Sequence, residues 1–439
     1  MCTDSVKDST GAKIGKGSKD QNSNGAAVSS RSRDLLKQGW PLFAGLVLAS
    51  LAAYGFHFFA SRRLGVDVYG ALASLLATVT LISTASQIGA TIVARFAAEF
   101  SVLGDRGRLR RLFEVACATS VGLLLACLVT ALVLNHALAA FFRIESAEAI
   151  VLAAAIAGLV VTGNVLRGLM QGAEEFMAFS ISFIIENVGR ALVASVVVAL
   201  GAGMIGAFWA QVAACVCAVA YTYVQIASHL KVSAVKLRLD VRRLLLTSGG
   251  IAAALASMAV LSYFDVVLAK HYLTPHEAGL YSFATLPGRA LSAIVEFVPT
   301  VLLPKATAAA AARTNSARML VSGLAIAAGI SAVMLAAIYV FRIAIPLTAG
   351  GSQFAGAAQL IFPYAGAAAL FGLSRIAVSY NIGAHHYKFV PPLIAVVVCE
   401  IAGIALFHQS ASQVVWVVVL ANAAGLAACV FPFRRSAAA

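Results

Sequence analysis

The sequence predicts an all-α polytopic membrane protein with about 12 transmembrane helices in two six-helix lobes. Three observations carry this. Of 439 residues, 61% are hydrophobic and 11% charged, with a mean hydropathy of +0.91, against roughly 25% charged in a soluble domain. The apolar residues form continuous runs of about 20, enough to cross a hydrocarbon core, without the period-two alternation of a membrane barrel. The second half also echoes the first. Leu64 stands six residues before Gly70 and Leu273 six before Gly279, an offset of 273 − 64 = 209. The same offset takes Leu35-Leu36 to Leu244-Leu245 and Tyr54 to Tyr263, while Gly172 and Phe176 return as Gly383 and Tyr387 at 383 − 172 = 211.

In chain order, residues 1–37 are rich in Ser, Gly, Asn, Lys and Asp and hold too little aliphatic surface to offset the entropy of ordering, which predicts a disordered cytoplasmic tail. Its composition is wrong for a cleaved signal peptide. Apolar runs then begin near Trp40, Tyr69, Leu112, Ile150, Met177 and Gly203, and again near Leu244, Leu280, Met319, Phe354, Val390 and Val414. These place a first lobe at 38–228, a cytoplasmic linker at 229–243, a second lobe at 244–433 and a short tail at 434–439.

Basic residues set the orientation. If the first tail is inside, the even-numbered joints carry Arg95, Arg106, Arg108, Arg110, Arg111, Arg167, Lys231, Lys236, Arg238, Arg242, Arg243, Lys305, Arg313, Arg318, Arg375 and Lys388. The opposite joints hold only Arg62, Arg63, Arg143, Lys270 and Arg342, so both termini are predicted cytoplasmic. This clustering also accounts for the net charge of +14 without a nucleic-acid partner. Six crossings per repeat is an even number, so the copies share one orientation about an axis along the membrane normal, and a site is expected between them.

Several function classes find no support. Cys117, Cys127, Cys215, Cys217, Cys399 and Cys429 lie in apolar runs without a C-x-x-C pair or a matching His cluster, so neither metal nor cofactor is expected. No zinc-protease helix, nucleophile elbow or paired-carboxylate motif is visible, which argues against an enzyme such as a membrane polysaccharide polymerase.

Four stretches resemble the polysaccharide flippases of the multidrug, oligosaccharidyl-lipid and polysaccharide exporter superfamily. They are Arg63-Leu-Gly-Val-Asp-Val-Tyr-Gly70; Leu166-Arg-Gly-Leu-Met-Gln-Gly-Ala-Glu-Glu-Phe176; Tyr263-Phe-Asp-Val-Val-Leu-Ala269 with Glu277-Ala-Gly-Leu-Tyr281; and Pro304. The resemblance spans residues 35 to 433, departing from the family's usual proline at Val66, while Pro275 keeps that proline in the second copy. It implies a MATE-like fold in the bacterial inner membrane and a polyprenyl-pyrophosphate-linked oligosaccharide as substrate, with membrane lipids and a polysaccharide polymerase as candidate partners. A drug exporter on the same fold, or a major-facilitator transporter, is the competing expectation. Gly104-Asp-Arg-Gly-Arg-Leu-Arg-Arg111 approaches the latter's loop signature with the wrong spacing.

Charges within the apolar runs mark candidate sites, because each ionised group at the bilayer centre costs about 2.5–3.5 kcal/mol on insertion scales. Glu186 and Arg190 stand four apart with Asn187 between them. They form either an anion contact with Arg190 oriented by Glu186, or a self-neutralising structural pair. Arg289 and Glu296, seven apart after Pro287-Gly288, offer a second anion contact at a helix break, or a kinked helix with an internal pair. Arg375 meets a headgroup or snorkels to the interface. Asp265, Glu400 and His57 are the candidates for coupling to H+ or Na+, against structural roles for each.

Overall fold

The computed structural model describes residues 45, 47–230, 241–296, 298, 317–384 and 386–437. All regular structure among them is helical. The first half runs through α1 (47–64), α2 (Val66–Val102), α3 (Arg106–Val133), the short α4 (Asn135–Phe142) and α5 (Ala147–Gly172). It continues with α6 (Phe176–Ile184), a π-helical turn (Ile185–Gly189), α7 (Arg190–Ala199) and α8 (Gly203–His229). The second half comprises α9 (Val241–Tyr272), α10 (Pro275–Val295), α11 (Ala317–Phe341), α12 (Ala358–Gly383), α13 (Val390–Leu406) and α14 (Ala411–Ala437). With α6, the π-turn and α7 making one crossing, every predicted apolar run coincides with a helix. Nine of these, among the described residues, are long and apolar enough to cross a membrane, and α1, α10 and α13, shorter or more polar, complete six per half.

Local chemistry fixes several helix starts. Thr274-Pro275-His276-Glu277 is a capping box with proline at the first helical position. The Thr274 hydroxyl accepts from the Glu277 amide at 3.3 Å and donates to Glu277 Oε2 at 3.1 Å. Asp105 caps α3 by accepting from the Arg108 amide at 2.9 Å, and Ser146 caps α5 through the Ala149 amide at 3.3 Å. Between α1 and α2 the chain turns at Gly65, whose φ of +79° suits glycine.

In the first half α5 is the central helix, packed on α2, α3 and α8. In the second half α12 packs on α10, α11 and α14. Each is 26 residues long, and their starts are separated by 358 − 147 = 211, the offset of the Gly172 and Gly383 echo that ends both. The halves meet where α2 runs along α9 and α10.

The closest approach falls on the residues that first exposed the repeat. A Cβ on Gly70 would lie 2.9 Å from both the Cα and the amide nitrogen of Gly279, and one on Gly279 would collide with the Val66 carbonyl. Equivalent glycines therefore touch each other on the pseudo-twofold axis, and only glycine lets the two backbones come this near.

The other polar ties between the halves lie on this same face. Arg143 donates to the Leu273 carbonyl at 3.0 Å, and His271 Nδ1 sits 2.9 Å from the Phe141 carbonyl with the two rings stacked at 4.3 Å. Gln353 donates to the Ser61 carbonyl at 3.4 Å, and His276 lies 3.6 Å from Asp67. Tyr69 packs edge-on to Phe354 at 5.8 Å and Phe283 at 6.4 Å. Among the described residues, no hydrogen bond joins the halves on the opposite, arginine-rich face. The lobes are sealed at one end of the axis.

The structure differs from the sequence expectations at three places. The α10 helix continues through Pro287 instead of breaking. Gly288 there accommodates α12, since a Cβ would meet Tyr364 at 2.9 Å and Ala368 at 3.1 Å. Arg167, expected in a cytoplasmic joint, is 2% exposed within α5. The π-turn was not foreseen at all. Of the predicted linker, residues 231–240 lie outside the described residues, as does Pro304.

Candidate substrate cavity at the lobe seam

Beneath the Gly70 and Gly279 contact the two lobes diverge around a small cavity of about 40 Å³. Its walls obey the repeat. His57, Ala73, Leu76, Ala77 and Thr80 line it from the first lobe, and Val266, Ser282, Thr285, Leu286 and Arg289 from the second. Each pair is separated by 209, for example 289 − 80, and Tyr69 completes the lining. The cavity thus sits on the pseudo-symmetry axis with equivalent backbone positions on both sides. Its chemistry is one-sided, because the second lobe supplies Ser282, Thr285 and the Arg289 guanidinium where the first supplies Ala73, Leu76 and Thr80.

Arg289 is held without being neutralised at contact distance. Nη2 donates to the Ser262 carbonyl at 3.3 Å, the guanidinium lies 4.7 Å from the Tyr263 ring centroid, and Asp265 Oδ1 is 3.9 Å away. Asp265 is 0% exposed; its Oδ2 accepts from Tyr281 at 2.7 Å, while Oδ1 has no hydrogen-bond partner among the described residues. Tyr364, edge-on to Tyr281 at 5.9 Å, also borders Arg289 and Asp265. Behind them Glu400 is 2% exposed, and neither carboxylate oxygen finds a hydrogen-bond partner among the described residues. This corner of the second lobe contains two carboxylates and one guanidinium. A charge buried without full compensation is costly, so the set calls for a further positive charge.

The pairings expected from spacing are replaced by others. Glu296 does not reach Arg289; it pairs with Arg375, whose Nη2 donates to Glu296 Oε1. Glu186 does not pair with Arg190. It turns into the first lobe and accepts from Arg167 Nη1 at 2.8 Å, both side chains being under 5% exposed. Arg167 Nη2 donates to Asn164 Oδ1 at 2.7 Å, and Asn164 Nδ2 donates to the hydroxyls of Ser83 and Ser86 at 3.1 and 2.9 Å.

The π-turn lies at this division. Glu186 lies within this turn and Arg190 directly follows it, and the two side chains take different partners, Arg167 and Asn187. Asn187 donates to the Phe183 carbonyl at 3.0 Å and accepts from Arg190 at 3.2 Å, and Arg190 is half-buried. His57 lines the cavity, with Nδ1 3.2 Å from the Tyr69 hydroxyl.

Sequence spacing therefore locates Arg289, His57 and Asp265 at or beside one cavity, with Arg190 nearby, and leaves Glu186 outside it. It misses the Arg167 network and the two tyrosines around Asp265. The 209-residue offset was the available signal for the cavity lining, since it maps Arg289 onto Thr80 and Val266 onto His57.

The fold and the axial cavity define a two-lobed membrane transporter. The chain belongs to the polysaccharide biosynthesis protein family, whose model matches residues 35–310. No curated protein matches it in sequence. Among solved structures it is similar to an inward-facing multidrug resistance MATE family transporter of the MOP superfamily, with a TM-score of 0.73 and 15% identity over 89% of this chain and 95% of that one. It is also similar to the lipid II flippase MurJ in an inward closed conformation, at 0.71 and 11% over 91% and 87%. A third likeness is a MOP superfamily transporter from Pyrococcus furiosus, at 0.66 and 14% over 92% and 95%.

Proposed function

We propose that this protein is a flippase that moves a polyprenyl-pyrophosphate-linked oligosaccharide across the bacterial inner membrane for surface or exopolysaccharide synthesis. The observation that carries the reading is Arg289. A guanidinium on the wall of a cavity between two lobes, held by a carbonyl and a ring and 3.9 Å from its nearest carboxylate, retains donors for a phosphate oxygen pair. Arg190, from the other lobe, supplies the second cationic contact. Hydrated sugars occupy the seam and the prenyl chain stays in the bilayer. With both termini cytoplasmic, the face joined at Gly70 and Gly279 is external, and rocking the lobes about that contact alternates inward and outward openings. The buried pair Asp265 and Glu400 takes up the coupling ion, H+ or Na+, that supplies the missing positive charge.

Complementation of a flippase-deficient strain tests this. Arg289→Ala and Arg190→Ala variants that reach the membrane should lose polysaccharide export, and normal export by both would remove the anion site. Restored drug resistance without restored polysaccharide would instead select a small-molecule exporter.

A further inference from the structure

The polar lining does not stop at the cavity. On α2, Thr80, Thr84, Gln87 and Thr91 are spaced by four, three and four, which places them along one face of a helix with 3.6 residues per turn. Thr80 is in the cavity wall; Gln87, seven residues further, lies about 10 Å along the same face towards the unsealed end. Thr84 is half-buried, while Gln87 and Thr91 are exposed. At the C-cap of α10 the repeat takes Gln87 to Glu296, at 296 − 87 = 209, and Glu296 likewise stands seven residues beyond Arg289. Glu296 and its partner Arg375 are 47% and 34% exposed. Two equivalent stretches thus carry polar groups beyond the cavity, away from the Gly70 and Gly279 contact.

Their chemistry differs from that of the cavity itself. The hydroxyls of Thr84 and Thr91 donate to the carbonyls of Thr80 and Gln87, each at 2.8 Å, leaving their oxygens as acceptors. The Gln87 amide, with two donors and an acceptor oxygen, has no partner among the described residues. In the second lobe, Glu296 adds carboxylate acceptors and Arg375 planar donors. A row of neutral acceptors and an amide on one lobe, with a carboxylate and guanidinium pair at the equivalent place on the other, complements vicinal hydroxyls and acetamido groups. It offers little to a free phosphate or an apolar tail.

We infer that Thr84, Gln87 and Thr91 of α2 form a sugar-binding rail that holds the distal residues of the glycan, with Glu296 and Arg375 across the seam. This rests on the flippase reading and divides the substrate between two places. Arg289 and Arg190 hold the pyrophosphate, and the rail reads the glycan beyond the first sugar. The α2 rail determines which repeat unit is carried, and the cationic cavity determines that a lipid pyrophosphate is carried.

The test uses full-length protein in nanodiscs and two probes: a polyprenyl pyrophosphate bearing one N-acetylhexosamine, and the same lipid bearing the complete repeat isolated from the native strain. Gln87→Ala combined with the near-isosteric Thr84→Val and Thr91→Val should weaken binding of the complete repeat at least tenfold, about 1.4 kcal/mol. Binding of the single-sugar lipid should change less than twofold. Unchanged affinity for the complete repeat overturns the rail, as does an equal loss for both probes. Arg289→Ala should weaken both probes together. Wild-type protein that binds neither probe refutes the flippase reading itself, and the rail with it; wild-type binding of both with no selective loss refutes the rail alone. Gln87→Asn, which keeps the amide on a shorter stem, should recover part of the selectivity, a result that simple helix damage would not produce.

Discussion

The two lobes bury their charges in opposite ways, although one repeat built both. In the first lobe, Arg167 and Glu186 meet at 2.8 Å away from the cavity, and the free oxygen of the adjoining Asn164 amide completes the guanidinium's contacts. In the second lobe, Arg289 faces the cavity with Asp265 at 3.9 Å, and three carboxylate oxygens, one of Asp265 and both of Glu400, lack partners among the described residues. The equivalents of Arg289 and Asp265 are Thr80 and Phe56, so the first lobe has no corresponding ionic corner. Symmetry therefore supplied the shape of the seam, and divergence supplied a closed network for rigidity on one side and an open one for exchange on the other.

Breaking the closed network should have the largest effect on stability. Arg167→Ala would leave Glu186 charged and alone at 3% exposure, and losing one member of a buried pair costs about 3–5 kcal/mol. Thermal unfolding in detergent should show a drop of several degrees, and the double change Arg167→Met with Glu186→Leu should recover most of it. A double variant as unstable as the single one would mean that the pair has a role beyond mutual neutralisation, such as holding the π-turn that aims Arg190.

In the open network the expected loss is of function. Arg289→Ala removes the one cation among the cavity-lining residues, and a charge-assisted contact to phosphate is worth about 1.5–3 kcal/mol, or roughly 10- to 150-fold in affinity. Lipid-pyrophosphate binding should fall by that factor, and the melting temperature should fall as well, because Asp265 at 0% exposure loses the guanidinium 3.9 Å away. The same change at Arg190, which borders the cavity without lining it, should cost less. Equal losses would mean that the two lobes contribute symmetrically after all.

This contrast also separates what was legible in the sequence from what was not. The twelve crossings and their grouping into halves were legible because hydropathy and repeat offset are properties of the chain alone. Arg289 and Asp265 could be singled out for the same reason, since a charge in an apolar run stands out. Their partners could not be. Glu186 and Arg190 obey helical spacing, yet Glu186 pairs with Arg167 of a neighbouring helix and Arg190 with Asn187, a choice made by packing that local spacing does not carry. Arg167 lies five residues before the end of a 26-residue helix, where spacing reads an interface anchor, and only the packing of α5 against neighbouring helices buries it. Glu296 and Arg375 are 79 residues apart, a separation across which no local rule applies.

Glu400 makes the comparison sharp in the other direction. Both oxygens are buried without partners, so Glu400→Gln should raise the melting temperature by a few degrees, as expected from removing an uncompensated buried carboxylate. If the pair Asp265 and Glu400 holds the coupling ion, the same variant should lose the dependence of transport on the ion gradient, trading function for stability. A stabilised variant with intact coupling would assign the ion to Asp265 alone.

The smallest effect expected is at the seal, where the lobes are most alike. Gly279→Ala places a methyl group against the Val66 carbonyl oxygen, a backbone atom, as well as against the Val66 side chain, so the contact can be relieved only by moving α2 and α10 apart. That penalises the sealed state without touching cavity or buried charge. Cysteines replacing Asp67 and His276, whose side chains lie 3.6 Å apart across the seam, would report it through their cross-linking rate. A shift of about 1 kcal/mol lowers the sealed-to-open ratio roughly fivefold, so Gly279→Ala should slow cross-linking whenever the sealed state is not in large excess. Gly70→Ala should match it, because its Cβ would strike the backbone of Gly279 from the other side of the axis. Unequal responses at the two glycines would show that the seal has diverged along with the cavity beneath it.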